Sequence, residues 1–354
     1  MMVTKSEQAE SVLKLFWGKS DTLFVNITDL NNADWSQLKT LIKKNVLPIR
    51  FFEKLTINQK EVQDKVFINF VESEKERIFK AVQLIEDIAL LCKQQDIKYV
   101  FHKGFQHYPD MGHDIDLLVF DYSNRIDLAI SKAFKVTKDK NSFTNRVASK
   151  VGYDIFGSKT SLEIHHGKMG HVGEHHKYPK ILATRLIKSS SSSSEVMIPS
   201  NEDQLIIAVL QRMYSHFHFR LSDILHIVDI LKCDLDWHYI ETTCKQNGIY
   251  TGLKNLLGFI YYKYKQLTNE ELIEKEVIIR NKVHDFDLQF DGNYYRISLL
   301  VIIKLYVKKI LNDLYRRDFV SLFHLSSIPI LTVIVKIRDS FRKMLTKYTE
   351  LTCK

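Results

Sequence analysis

The chain has 354 residues, of which 45% are hydrophobic and 11% are aromatic. This length and hydrophobic content suffice for two or three domains with substantial cores, and they exclude an intrinsically disordered protein. The net charge is +9, and residues 296–354 carry +8 of it, because they contain twelve Lys or Arg and four acids. A charge concentrated in this way predicts an anionic partner at the C-terminal end.

The four cysteines, Cys92, Cys233, Cys244 and Cys353, do not have the paired spacing of a metal site. In a chain of this size they predict reduced thiols in a cytoplasmic compartment. The N-terminus has no basic segment followed by an apolar segment, so we expect no secretion signal. These features predict a cytoplasmic protein, with peripheral contact to a membrane as an alternative.

Residues 1–95 are predicted to form an N-terminal helical region. Apolar residues recur at three- and four-residue spacing over 5–17 and over 34–55, which predicts a helix in each range. The same spacing over 61–95 predicts one long helix or a broken pair of helices.

Residues 96–188 are predicted to form a small mixed β-sheet with helices packed behind it. Short apolar segments of alternating polarity predict strands at 98–102, 114–119, 134–137, 153–156 and 162–165. A helix is predicted over 125–134, directly after the second of these strands.

Two aspartates stand one residue apart at the head of the second predicted strand, Asp114-Ile115-Asp116-Leu117-Leu118-Val119. Side chains two residues apart in a strand point to the same side, so Asp114 and Asp116 project together. Two carboxylates this close repel each other unless one is protonated or a cation bridges them. Magnesium is the expected cation, since it takes oxygen ligands and completes its shell with phosphate oxygens.

Glu163 is the best candidate for a third carboxylate, because Ser161-Leu162-Glu163-Ile164-His165 also alternates like a strand. A third acid on a neighbouring strand would complete a two-metal site for in-line displacement at phosphorus. His165 lies on the same strand face as Glu163. It is predicted to orient a carboxylate, to contact phosphate or to act as a base, and a structural hydrogen-bonding role is an equal alternative.

The spacing of these residues resembles the polymerase-β-like nucleotidyltransferase superfamily. Lys103-Gly104 precedes the two aspartates by nine residues, and Leu162-Glu163-Ile164-His165 supplies the later acid. The narrower resemblance is to the uncharacterised nucleotidyltransferase family, whose members carry Lys-Gly in place of the usual Gly-Ser. Further segments that resemble this family are KTLIKKNVLPIRFFEKL (39–55), Pro199–Leu205 and Arg220–Leu225.

The resemblance spans residues 30–235 and implies an α+β fold, with a catalytic core between an N-terminal helical segment and a C-terminal helical domain. It implies transfer of a nucleoside monophosphate from an NTP, expected to be ATP, to a hydroxyl acceptor with Mg²⁺ or Mn²⁺. Asp114, Asp116 and Glu163 would then hold the metal and carry the catalysis. The residues expected to contact the nucleotide are Lys103, Gly104, His165, Arg212 and Arg220.

Residues 165–176 contain five histidines. His171 and His175 have the i, i+4 spacing of two zinc ligands on a helix, which predicts a second metal site. Three glycines between His165 and His176 argue against a helix, so a loop at the rim of the active site is the alternative.

Residues 189–354 are predicted to form a C-terminal helical domain with a basic end. Six serines at 189–194 predict a flexible boundary, and Ser200 is predicted to cap the first helix, with Asp203 three residues later. Residues 250–290 are predicted to continue as helix. The residues predicted to lie on the polar faces of the first helices are Gln211, Arg212, His216, Arg220 and Asp223.

Residues 319–335 form a segment of 17 residues without a formal charge, flanked by Arg316-Arg317 and by Lys336 and Arg338. It is shorter and more polar than a membrane span, which needs about 20 mostly apolar residues. A buried helix pair is the first interpretation, and an in-plane contact with anionic lipid head groups is the second. A true span is the third, and we expect none.

Three hypotheses for function stay open on the sequence. The first is the metal-dependent nucleotidyltransferase. The second keeps the fold but makes RNA the acceptor, as in a tRNA-directed or toxin-like transferase, and the basic end favours it because phosphate contacts dominate RNA affinity. The third is a non-catalytic nucleotide- or membrane-binding protein on a decayed transferase scaffold, which Phe105 favours because the superfamily has serine there.

Overall fold

The structure is a computed structural model that describes residues 4–18, 32–57, 64–139, 143–170, 172–189, 195–284, 286 and 288–326. Several predictions therefore lie outside the described residues. These are the predictions on His171, on Cys353, on the serines at 190–194 and on residues 327–354, which include Lys336 and Arg338.

The N-terminal region is helical where it is described. Its helices are α1 Lys5–Phe16, α2 Asn32–Lys44, α3 Pro48–Ile57 and α4 Lys65–Gln94. The helix predicted over 5–17 is confirmed, and α4 is one long helix rather than a pair. Asp64 begins α4 by accepting a hydrogen bond from the Phe67 backbone N–H at 2.9 Å, which satisfies one of the free amides of the first turn.

The single helix predicted over 34–55 is wrong, because the chain breaks between α2 and α3. Val46 adopts the left-handed backbone conformation with a φ of 54°, which ends α2. Pro48 then begins α3. Proline is tolerated in the first turn of a helix, where its missing N–H leaves no hydrogen bond unmade.

A five-stranded sheet forms the centre of the protein. Its strands are β1 Tyr99–Lys103, β2 Asp114–Val119, β3 Val136–Lys138, β4 Lys150–Ile155 and β5 Ser161–His166. The order across the sheet is β1-β2-β5-β4-β3. Strands β2 and β5 are parallel, and the other neighbours are antiparallel. The mixed sheet and the α+β class are confirmed.

The side chains of β2 divide between a hydrophobic core and a polar face. Ile115, Leu117 and Val119 are fully buried, and the core they join also contains Ile85 and Ile88 of α4. Helices α5 (Arg125–Ala133) and α6 (Phe143–Val147) follow β2 and β3. The alternation of β2 therefore places its two aspartates on the side opposite the buried Ile115 and Leu117.

Most of the C-terminal half is helical. Its elements are α7 Tyr178–Leu182, β6 Leu186–Lys188, β7 Met197–Pro199, α8 Asn201–Gln211, β8 His218–Phe219, α9 Leu221–Leu231, α10 Trp237–Gln246, α11 Tyr250–Thr268, α12 Lys275–Arg280, β9 Gln289–Phe290, β10 Tyr295–Arg296 and α13 Leu299–Tyr315. Residues 212–216 continue α8 as one π-helical turn, and 319–326 are helical again.

Two predictions for this half can be compared with the structure. Ser200 caps α8 as expected, because its hydroxyl accepts a hydrogen bond from the Asp203 N–H at 3.3 Å. The helical prediction for 250–290 is correct for α11 and α12 and wrong for the residues between and after them. Helix α11 ends where Asn269 adopts a left-handed φ of 60°, and β9 and β10 form a small sheet with β8 after α12.

The loop between β1 and β2 is attached to two helices of the N-terminal region, α3 and α4. Asp110 is fully buried and accepts hydrogen bonds from the Ile49 N–H and from Arg50 Nε. Arg77 of α4 donates to the carbonyls of Met111 and Gly112. These contacts fix the segment that leads directly into the aspartates of β2.

We expect Arg77→Met to lower the free energy of unfolding by about 2–4 kcal/mol, because it removes a buried donor from two carbonyls and from Glu74. Urea unfolding followed by circular dichroism measures the loss. Lys80→Met is the matched control, since Lys80 pairs with Glu76 on the exposed side of the same helix, and it should change the free energy by less than about 0.5 kcal/mol. Equal losses in the two variants would contradict the anchoring role of Arg77.

Candidate active site

The parallel pairing of β2 with β5 brings the predicted carboxylates together. Asp116 is the register partner of Glu163, and Asp114 is the register partner of Ser161. Register partners on adjacent strands project to the same side of the sheet. Asp114 is exposed and accepts a hydrogen bond from the Ser161 hydroxyl at 2.6 Å, whereas Asp116 is 3% exposed.

Lys103 reaches the same face from the other neighbouring strand. It is the register partner of Asp116 across β1, and its Nζ donates to Asp116 Oδ1 at 3.2 Å. The register shifts between Phe101 and Lys103, so His102 is an extra residue in β1. A bulge of this kind redirects side chains next to functional sites, and here it brings His102 toward Asp116 beside Lys103.

His165 lies between the two carboxylates. Its Nε2 is 3.2 Å from Asp116 Oδ1 and 3.5 Å from Glu163 Oε2. The ring is buried and packs edge-to-face on His102, with 4.9 Å between the ring centroids. Among the roles predicted for His165, these contacts favour the orientation of carboxylates.

Lys150 is a site residue that the sequence analysis missed. It pairs with His165 across β4 and β5, and its Nζ lies 2.6 Å from Glu163 Oε2. The strand predicted at 153–156 did not reach Lys150, which begins the observed strand β4. Strand partners could not be assigned from the sequence, so the contact could not be predicted.

Charge balance keeps the buried carboxylates ionised. Burial by itself raises the pKa of Asp116, but the positive charge of Lys103 and the hydrogen bond from His165 outweigh it and hold the pKa well below its usual value. Burial also acts to raise the pKa of Glu163, while the hydrogen bond from His165 and the charge of Lys150 lower it overall. Each carboxylate is therefore matched by a lysine.

Arg212 lies in the wall formed by the helical half. It is buried and pairs with Asp223, with 2.8 Å between Nη2 and Oδ1. Asp223 also accepts from the Arg220 N–H and lies 3.1 Å from His107 of the loop before β2. Burial lowers the pKa of Arg212, and the negative charges of Asp223 and Asp116 act against that shift.

The polar-face prediction for this part of the chain needs correction. Gln211, Arg212 and Asp223 are buried, because the helices turn these side chains toward the loop before β2 and away from solvent. Arg220 is half-buried, and its Nε has no hydrogen-bond partner within the described residues. His216 is exposed, as predicted for a polar face.

The segment rich in histidine is a loop where it is described. Gly167, Gly170 and Gly173 have φ values of 62°, 106° and 82°, which a helix cannot accommodate. His175 is buried in the C-terminal core, with its ring 6.0 Å from that of Tyr214. The alternative of a loop is therefore favoured over two ligands on one helix.

Two sets of metal donors surround Asp116. Asp114, Asp116 and Glu163 supply carboxylate oxygens, the ligands that Mg²⁺ and Mn²⁺ prefer. One ligand atom from each of His102, Asp116 and His165 also lies within 4.8 Å of the other two, and imidazole suits transition metals such as zinc. Asp114, Asp116 and Glu163 share one face of the sheet, but within the described residues they do not form such a close group, so the magnesium site stays a prediction.

The comparisons with known proteins were negative. No model of a known protein family matches the chain, and no curated protein matches it. Function is therefore inferred from the polar face and from the motif. On that face Lys103, Asp116, Glu163 and His165 contact one another, Asp114 lies on the same strand as Asp116, and Gly104 follows Lys103 directly.

We expect Lys103→Met to lower the free energy of unfolding at neutral pH by about 1–3 kcal/mol, because it leaves the buried Asp116 carboxylate without its ammonium partner. Asp116 has a depressed pKa in the folded protein. Its stabilising contribution is therefore present above the unfolded pKa of about 3.9 and is lost as the pH falls through the folded pKa.

The difference between wild type and Lys103→Met should accordingly shrink as the solution is acidified below about pH 4. Urea unfolding at a series of pH values measures this difference. Lys98→Met is the control, since Lys98 is exposed at the far end of β1. A destabilisation by Lys103→Met that does not change with pH would refute the electrostatic account.

Proposed function

We propose that the protein is a metal-dependent nucleotidyltransferase that transfers a nucleoside monophosphate from an NTP to a hydroxyl acceptor. One observation carries the proposal. The parallel register of β2 and β5 sets Asp116 beside Glu163, on the same face as Asp114 and opposite Lys103. Three carboxylates and a lysine on one face of the sheet are the groups that metal-assisted transfer at phosphorus requires.

Asp114, Asp116 and Glu163 would hold magnesium or manganese. A metal bound there supplies charge neutralisation for the triphosphate and lowers the pKa of the acceptor hydroxyl. His165 fixes the rotamers of Asp116 and Glu163 through its two contacts. Pre-positioned carboxylates of this kind reduce the reorganisation needed when substrate binds.

Lys103 is the proposed ligand of the β- and γ-phosphates of the NTP, which leave together as pyrophosphate. Its side chain is 24% exposed, so the ammonium group reaches both Asp116 and the open side of the face. Gly104 has a φ of 120°, a conformation that side chains rarely adopt. The chain can therefore turn sharply after Lys103 and leave its ammonium group accessible.

Arg212 and Arg220 support the nucleotide from the helical half. Arg212 is held by Asp223 and is close enough to Asp116 for their charges to interact. The unpartnered Nε of Arg220 provides a donor in the same wall. Arginine suits phosphate because its planar group donates two parallel hydrogen bonds.

We also propose that the hydroxyl acceptor is anionic, or that an anionic surface presents it to the site. The exposed cations Lys304, Lys308, Arg316 and Arg317 favour such a partner at the C-terminal end. A cytoplasmic location, where ATP and magnesium are available, also remains a proposal. The cysteines in the described residues, Cys92, Cys233 and Cys244, are free thiols, which accords with that compartment.

We expect Asp114→Asn and Glu163→Gln to slow transfer by about 10³-fold or more, because each removes several kcal/mol of transition-state stabilisation. The assay is incubation with each labelled NTP, magnesium and a whole-cell extract or tRNA, followed by identification of the labelled product. These positions are preferred to Asp116, whose burial and ion pairs also affect stability. Asp87→Asn is the control, because this exposed carboxylate lies on α4 and outside the central sheet.

Thermal unfolding in the presence of magnesium and NTP provides a second readout. Wild type and Asp87→Asn should gain thermal stability, since a ligand that binds only the folded state raises the unfolding temperature. Asp114→Asn and Glu163→Gln should not. Stabilisation without any labelled product would support the non-catalytic alternative, and labelled tRNA would support the RNA-directed one. Equal stabilisation of all four proteins by magnesium and NTP would contradict the assignment of Asp114 and Glu163 to the metal site.

A further inference from the structure

Helix α13 presents a continuous apolar stripe to the outside of the protein. The stripe covers about a third of the helix circumference, because its members recur at three- and four-residue spacing. Leu300 is 72% exposed, for example. The exposed members on α13 are Leu299, Leu300, Ile303, Val307, Ile310, Leu311 and Leu314, and Phe319, Val320 and Phe323 of residues 319–326 are exposed after them.

The opposite side of α13 is fixed to the body of the protein. Lys309 is buried and donates to the Asn247 carbonyl at 3.2 Å and to Asp313 at 3.0 Å. Ser321 joins the same cluster, because its hydroxyl donates to Asp313 at 2.6 Å and lies 3.1 Å from the Glu174 carbonyl oxygen. Rotating the stripe inward would break these buried hydrogen bonds, so the stripe is held facing outward.

The charges beside the stripe all have one sign. Lys304 and Lys308 lie along one edge of it, and Arg316 and Arg317 follow the end of α13. The acids of residues 297–326, Asp313 and Asp318, are both buried, and Asp318 is paired with Lys177 at 2.7 Å. Residues 297–326 therefore expose apolar side chains and cations, and no carboxylate.

We infer that α13 and residues 319–326 form a docking surface for the anionic lipid surface of a membrane. An interfacial helix has this arrangement, since its apolar stripe enters the boundary between head groups and acyl chains while flanking Lys and Arg contact anionic head groups. No described helix is both long and apolar enough to cross a bilayer. Because the opposite side of α13 is bound to the body of the protein, the proposed contact lies in the plane of the membrane.

The composition of the surface favours lipid over other partners. An RNA would place charged phosphates against the exposed Leu, Ile and Val side chains that line α13, whereas the exposed aromatic side chains Tyr315, Phe319 and Phe323 lie only at its end. A second copy of the chain would bring the same cations toward each other across the contact. The inference identifies the anionic surface of the proposed function as lipid, and its test does not require transfer activity, because vesicle binding is measured without NTP.

Flotation of the full-length protein with lipid vesicles tests the inference. One set of vesicles contains phosphatidylcholine alone, and the other contains phosphatidylcholine and phosphatidylglycerol. Wild type should float with the anionic vesicles at low salt, with less binding at high salt, and should bind the neutral vesicles much less. Ile303→Ser/Val307→Ser/Leu311→Ser should lose the binding to anionic vesicles.

A basic-edge variant with Gln at Lys304, Lys308, Arg316 and Arg317 should weaken vesicle binding by about 10²–10³-fold, since each basic residue near an anionic surface contributes up to nearly a tenfold effect. A control variant with Gln at the exposed Lys93, Lys98, Lys132 and Lys135 removes the same charge elsewhere and should bind like wild type. Circular dichroism and thermal unfolding verify that every variant is folded.

Three results would overturn the inference. The first is a wild type that does not float with anionic vesicles at low salt. The second is equal loss of binding in the control and the basic-edge variant, which would indicate an effect of net charge alone. The third is unchanged binding by the triple serine variant. If the protein does not float but binds RNA, the surface is assigned to RNA. If it does not float but forms a dimer that the serine substitutions dissociate, the surface is assigned to a second copy of the chain.

Discussion

A carboxylate as deeply buried as Asp116 loses several kcal/mol of hydration, and only close positive charge and hydrogen bonds make that loss tolerable. The central sheet supplies both. Lys103 comes from the strand on one side, and His165 comes from the strand on the other side. Glu163 is compensated in the same way by Lys150. Strand order and register are thus tied to charge balance, because a slip of one residue would separate these partners.

The position of this polar face also depends on the loop that precedes β2. Asp110 ties the loop to the N-terminal helices, Arg77 ties it to α4, and His107 ties it to Asp223 of the helical half. A substitution that removes one of these hydrogen bonds is therefore expected to shift the loop and the two aspartates that follow it, Asp114 and Asp116.

The sequence was sufficient to predict the local parts of this account. Strands β1 to β5 lie close to their predicted positions, because each has a short apolar run with clear alternation. The pairing of Asp114 and Asp116 on one face follows from strand periodicity, and Glu163 was selected by the same pattern. These features depend on neighbouring residues alone, which a sequence displays directly.

The sequence did not predict features that depend on contacts between distant parts of the chain. The contact of Lys150 with Glu163 depends on which strands are adjacent, and the burial of Arg212 depends on its pairing with Asp223 against the loop before β2. The break at Val46 was overlooked because the apolar spacing continues through it. The apolar stripe of α13 has the same periodicity as a core-facing helix, so the sequence could not indicate that it faces outward.

Crystals of the protein soaked with manganese and a non-hydrolysable ATP analogue provide the most direct test of the central claim. An anomalous difference map locates the metal independently of any assumption about activity. We expect manganese among the carboxylates of Asp114, Asp116 and Glu163, with the Lys103 ammonium group moved from Asp116 to a phosphate oxygen. A nucleotide bound elsewhere, or metal at neither Asp114 nor Glu163, would contradict the account.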